Sequence, residues 1–119
     1  MMKLRRERCA ILPLVLEAEW YDMIECGVKR EEYRTSPRVL KQIQRWWGEV
    51  KIENKSAIVE FRRGYRADAP RMTLLASRVY FRPVGSFINP DQGEPTDAPH
   101  YVIVLEGIIS ITDKSELTK

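Results

Sequence analysis

The chain reads as one α+β domain, two early helices followed by several strands that form either a small mixed or antiparallel β-barrel or an open sheet, and three observations predict it. Two early stretches, residues 17–26 and 37–47, carry apolar side chains at helical spacing. Three later runs, "SAIVEFR", "MTLLASRVYFR" and "YVIVLEGIISI", are rich in β-branched and aromatic residues and separated by turn signals. With 119 residues, 44% of them hydrophobic, the chain has material for a single core that folds without staples.

Taken in order, "MMKLRRER" (1–8) reads as a basic flexible tail. "CAILPLVL", Cys9 to Leu16, has the length of a strand buried on both faces, and Pro13 places it at a sheet edge or a bulge. In "EAEWYDMIECG", Trp20, Met23 and Ile24 recur at helical spacing, and Glu17, Glu19 and Asp22 sit where the helix dipole favours acids. Gly27 is placed to terminate that helix at Cys26. "EEYR" is then a brief extended segment closed by "TSP". Ser36 and Pro37 form an N-cap and first-turn pair, and Val39, Leu40, Ile43, Trp46 and Trp47 make one apolar stripe before Gly48 ends the second helix. Between the last two strands lies "PVGSFINPDQGEPTDAPH", a loop long enough to carry function. The domain proper spans 9–111, and residues 112–119 read as a frayed C-terminal tail. The first strand is expected in one sheet with the strand at Tyr101 to Ile111, available to pair with it, closing a barrel around Val59, Phe61, Leu75, Val79, Ile103 and Leu105.

Charge and composition exclude several classes. The net charge of +3 and a pI near 9.0 hint at an anionic partner. The first eight residues account for all of it, with four basic side chains against one acidic, so the rest is balanced. It is nevertheless polarised: residues 35–82 carry eleven basic and four acidic groups, residues 83–119 two and six. No apolar run approaches the roughly 20 residues of a membrane-spanning helix and no signal cleavage site is visible, so the expectation is a soluble, cytoplasmic protein. Cys9, Cys26 and the lone His100 do not make a closed zinc site, and both thiols read as reduced and structural. His100 has no evident serine partner for a triad, no glycine loop cradles phosphate, and no cofactor is implied.

Gly27, Lys29, Glu32 and Arg34 stand in the spacing G-x-K-x-x-E-x-R, which resembles the signature of the ASCH domains, a branch of the PUA-like barrel superfamily. The likeness continues along nearly the whole chain. "AEWYDMIECGVKREEYR" resembles the family's first helix and second strand, "VEFRRGYRADAPRM" its central strand and GY turn, and "HYVIVLEGII" its closing strand, in the manner of the small single-domain members of bacteria and phages. The resemblance implies a PUA-like small mixed β-barrel of about five or six strands, with a charged cleft beside the first helix that binds RNA or a modified nucleoside. It also implies an alternative, an amidohydrolase acting on an acylated nucleobase such as N4-acetylcytidine, with a Lys base, a Thr nucleophile three residues later and a distant Glu. A regulatory protein-interaction module is the third hypothesis.

The residues themselves offer competing readings. Gly27 is a helix terminator first. Lys29 is either a solvated turn lysine or a phosphate-binding or basic group. In an extended segment Glu32 and Arg34 share one face and Glu31 and Tyr33 the other, so Glu32 and Arg34 either brace the barrel mouth as an ion pair or read a ligand together. Position 32 is Glu where the hydrolytic pattern needs Thr, Thr35 and Ser36 are out of register, and the neighbouring Arg34 favours the ionised carboxylate and blunts it as a base. Hydrolysis by Lys29 and Glu32 is therefore the second hypothesis. Toward RNA, Tyr33 joins the cleft, Arg78, Tyr80 and Arg82 form a cation and aromatic stripe opposite Val79 and Phe81, and Arg62, Arg63, Tyr65 and Arg66 surround a glycine turn. The Trp46 and Trp47 pair reads as helix packing rather than a stacking platform.

Overall fold

The computed structural model of the chain describes residues 2–83 and 98–112, with side chains for 3–83 and 98–111. Most of the long loop and nearly all of the C-terminal tail expected from sequence fall at 84–97 and 113–119, outside the described residues. The elements run β1 (Met2–Arg5), a 3₁₀ turn (Arg6–Arg8), β2 (Cys9–Leu16), α1 (Ala18–Glu25), β3 (Glu31–Arg34), α2 (Pro37–Glu53), β4 (Ser56–Arg63), β5 (Arg71–Arg82) and β6 (His100–Thr112). This is an α+β fold with one six-stranded sheet in the order β1-β6-β5-β4-β2, β3 pairing with β6 beside that path.

The sheet is mixed. β2 runs parallel to β4, β4–β5 and β5–β6 are antiparallel, and the long β6 accepts two short strands along one edge. β3 pairs with it antiparallel at Tyr101–Val104, and β1 parallel at Ile109–Thr112. The sheet curls into a half-barrel. Its curl brings the β2 and β3 edges close enough for the Arg34 guanidinium to donate to the Val15 carbonyl at 2.8 Å.

Three sequence expectations are corrected here. Residues 2–5 are the strand β1 rather than a frayed tail, its backbone satisfied by β6 and Leu4 packed against the cluster of Cys9, Ile58 and Ile109. β2 lies in the same sheet as β6 but pairs with β4 at the far edge, where Pro13 is exposed and costs no ladder bond. Its burial alternates, so it is covered on one face more than the other. Finally, α2 continues through Gly48 to a left-handed C-cap at Asn54 (φ 52°). Val50 extends the apolar stripe by another turn against the core, and that packing offsets the roughly 1 kcal/mol a mid-helix glycine costs.

The main core lies between the two helices and one sheet face, with Ile43, Trp46, Tyr21 and Ile24 from the helices meeting Leu12, Val59, Phe61, Ile103 and Leu105. Val79 packs against it as expected, but Leu75 lies in the opposite, smaller cluster. Register irregularities between Leu74 and Arg78 switch the faces along β5, which simple alternation does not anticipate. Trp46 also closes the free β2 edge, its Nε1–H donating to the Ala10 carbonyl at 2.8 Å. Trp46→Phe should therefore cost about 1–3 kcal/mol by leaving that buried acceptor without its donor, measured as a lower urea midpoint at unchanged m-value.

Candidate functional site

The site begins with the way α1 stops. Gly27 takes φ 85° after the Cys26 cap, its N–H donates to Ile24 O, and Val28 N–H donates to Met23 O, which is a Schellman closure. Lys29 N–H also donates to Met23 O at 3.0 Å, so the turn that glycine permits fixes where the lysine leaves the helix. The Lys29 side chain is turned inward and only 2% exposed. Its Nζ lies 3.5 Å from Glu32 Oε1, 4.7 Å from the Tyr33 ring centre and 5.5 Å from that of Trp20.

Glu32 is 5% exposed and stands between two cations. Its Oε2 accepts a hydrogen bond from Arg34 Nε at 2.9 Å and lies in ion-pair contact with Nη2, also at 2.9 Å, while Nη2 donates to Val15 O. Arg34 thereby does what the bracing reading requires: it joins the edges of β3 and β2 and holds Glu32 against Lys29. Beside this cluster runs a groove of about 420 Å³, walled by Ile24 to Gly27, Lys29 and Arg30 on one side and by Leu74 and residues 105–108 of β6 on the other. That volume lies in the range of small-molecule sites.

The opposite face of β3 carries a second set of groups. Register aligns Glu31 with Val104 and Arg78, Tyr33 with Val102 and Tyr80, and His100 with Arg82. Both tyrosine hydroxyls donate to Glu31, Tyr33 at 2.8 Å and Tyr80 at 3.2 Å, and Arg82 Nη2 donates to the Tyr80 oxygen at 2.9 Å. The Arg78 and Arg82 guanidiniums lie 4.5 and 5.4 Å from the Tyr80 ring centre. The expected stripe thus exists, and its tyrosine already engages two cations. Glu31 is the residue that sequence reasoning missed. The alternation that puts it on Tyr33's face was legible, but its reach to Tyr80, 49 residues away, was not.

The glycine-turn group stands apart from this network. Gly64 takes φ 82°, Arg63 forms two bonds to Asp22 of α1 at 2.9 and 3.0 Å, and Arg66 pairs with Asp68 at 3.2 Å. Tyr65 is exposed, and Arg62 lies half-buried across from Arg71. Trp46 is buried and Trp47 packs against the core, so that pair is helix packing. Cys9 is buried and Cys26 exposed, both as free thiols. Among the described residues no group of three or more potential ligands could hold a metal, and no helix is long and apolar enough to cross a membrane.

Burial lowers the pKa of Lys29 against the opposing pull of Glu32, whereas burial and the bond to Glu31 raise that of Tyr33. The two shifts act on stability with opposite sign. For Lys29 the unfolded chain binds the proton better, so stability rises with pH from the depressed value up to the unfolded 10.5, and is lost again as pH falls through the depressed value. For Tyr33 the folded chain holds the proton better, so its contribution is complete below 10.0 and fades as pH rises beyond it. The stability of the wild type minus that of Lys29→Met should therefore grow as pH rises toward about 10 in urea titrations, while the Tyr33→Phe difference stays flat until about pH 10 and then declines. A flat lysine difference would mean that the ammonium is not desolvated.

Compared with family models, curated proteins and solved structures, the chain matches none.

Proposed function

We propose that the chain is an ASCH-like domain on a PUA-like barrel, binding single-stranded RNA or a modified nucleoside at the cleft beside α1. One observation carries this reading. The buried Lys29, Glu32 and Arg34 cluster and the Arg78, Tyr80 and Arg82 stripe are joined through Tyr33 and Glu31, so two residue sets 40 or more positions apart in the chain make one connected polar network. Four cations against two carboxylates leave that network net positive, and the groove beside α1 has room for a base. Arg34 supports the site by position, since its guanidinium is engaged by Glu32 and Val15.

Amide hydrolysis on a nucleobase is the second reading, favoured by the burial-lowered Lys29, which suits a base. Against it, position 32 offers a carboxylate held by Arg34 rather than a hydroxyl nucleophile.

Fluorescence anisotropy with a short single-stranded RNA across a salt series tests the binding reading. Affinity should fall as salt rises, and Arg78→Ala should flatten the log–log slope by about 0.7, one phosphate's worth. Identical slopes for the wild type, Arg78→Ala and Arg82→Ala would remove the stripe from the interface. Release of cytidine from N4-acetylcytidine, lost in Lys29→Met, would place the hydrolytic reading first.

A further inference from the structure

His100 is the one histidine in the sequence, lies at the start of β6, and is fully buried at 0% exposure. Its Nδ1 stands 2.9 Å from the Ala98 carbonyl oxygen, which only accepts, so the proton of the neutral ring sits on Nδ1 and Nε2 is an acceptor. That Nε2 is buried and has no hydrogen-bond partner among the described residues. Buried polar atoms are nearly always paired, and a buried acceptor left unmade is a standing cost that a suitable donor relieves. The ring lies edge-on to Tyr33, with centroids 6.1 Å apart and planes at 82°, and is cross-strand from Arg82. An unpartnered acceptor is therefore built into the same face as the guanidiniums of Arg78 and Arg82.

We infer that His100 Nε2 is a recognition group that accepts a hydrogen bond from an N–H or O–H of a nucleotide whose phosphate engages Arg82. The inference rests on the nucleotide-binding reading and deepens it by naming what the ligand must carry: an anionic group and, one residue's width away, a neutral donor on the base or sugar. Arg82 supplies the anchor. Its Nη2 bond to the Tyr80 hydroxyl is exchangeable for a stronger, charge-assisted bond to a phosphate, which seats the nucleotide at the residue cross-strand from His100.

Because the chain holds one histidine, its imidazole nitrogens give an unambiguous two-bond proton–nitrogen NMR spectrum of the full-length protein. Uridine 5′-monophosphate is the probe and sulfate, an anion without a donor, the control. The expected result is an Nε2 of unprotonated type in the free protein that moves upfield on addition of the nucleotide and stays put with sulfate. In parallel, His100→Phe keeps the ring and its contact with Tyr33 but removes the acceptor. It should weaken nucleotide binding about tenfold, as the loss of one hydrogen bond does, and leave sulfate binding unchanged. If the nucleotide shifts backbone amides of β5 but neither moves Nε2 nor binds less well to His100→Phe, the inference falls and the binding reading stands. The same holds if Nε2 is already hydrogen-bonded in the free protein and unchanged by ligand, the mark of an internal water only. If neither the nucleotide nor the RNA binds, both are overturned.

Discussion

Glu32→Ala should lower folding stability by about 3–5 kcal/mol, the largest effect of any single substitution in the site. The carboxylate is nearly inaccessible and is shared by Lys29 and Arg34, so its removal takes the ion-pair partner from an ammonium that is itself only 2% exposed. Taking away one member of a buried ionic group costs far more than the group adds over an apolar replacement, because the remaining charges keep their desolvation penalty. Arg34 would retain the Val15 carbonyl but lose its hydrogen bond and ion pair with Glu32. Glu32→Gln, which keeps an acceptor oxygen without the charge, should fall between the wild type and Glu32→Ala. Urea denaturation followed by far-UV circular dichroism checks the series. A Glu32→Ala midpoint within about 1 kcal/mol of the wild type, at constant m-value, would show that the three side chains are not interdependent. The expected size matters for function as well. Loss of ligand binding in any Glu32 variant has to be read after correction for the folded fraction, since the residue braces the barrel before it reads anything.

How much of this arrangement could be read from residues alone depends on the range over which each contact acts. Local rules carried the end of α1, since a glycine after an apolar helix leads to a left-handed turn, and they carried the pairing of Glu32 with Arg34, since a strand puts alternate residues on one face. The same local rule failed at Gly48, where Val50 packing against the core outweighed the glycine's preference. It failed again at Leu75, because the irregularities along β5 shift alternation partway down the strand. β1 offered only Met2 and Leu4 alternating with Lys3 and Arg5, too short a run to carry a periodicity, and its strand character comes from β6 supplying a parallel edge. The links that matter most to the site are the least local. Arg34 to Val15 spans 19 positions and Tyr80 to Glu31 spans 49, and both exist only because of which strands the sheet places next to each other. Sequence named most of the polar groups, and topology decided that they meet.

Deletion of residues 1–8 is the second large effect, and it bears on any claim of RNA binding. Truncation removes β1, so the ladder from Met2 to Arg5 along Ile109–Thr112 is lost, Leu4 leaves the cluster of Cys9, Ile58 and Ile109, and the bond from Cys9 Sγ to Arg5 O disappears. Burial of one leucine with its neighbours is worth about 2–3 kcal/mol, and at roughly 4 °C per kcal/mol the melting temperature should drop by about 10 °C. Those eight residues also hold the entire net charge of +3. A truncated protein that fails to bind RNA has therefore lost both a strand and its net charge, and the experiment cannot apportion the loss. Replacing Lys3, Arg6 and Arg8 by glutamine separates the two, because these exposed side chains can be neutralised while the backbone ladder stays, at a stability change within about 1 kcal/mol. If the neutralised protein keeps binding with a salt slope that still responds to Arg78→Ala, the sheet face is the reader and β1 serves it structurally. If neutralisation alone abolishes binding while the melting temperature holds, the basic segment is a polyanion contact in its own right, and the stripe of Arg78, Tyr80 and Arg82 is left to bind something smaller than a strand of RNA.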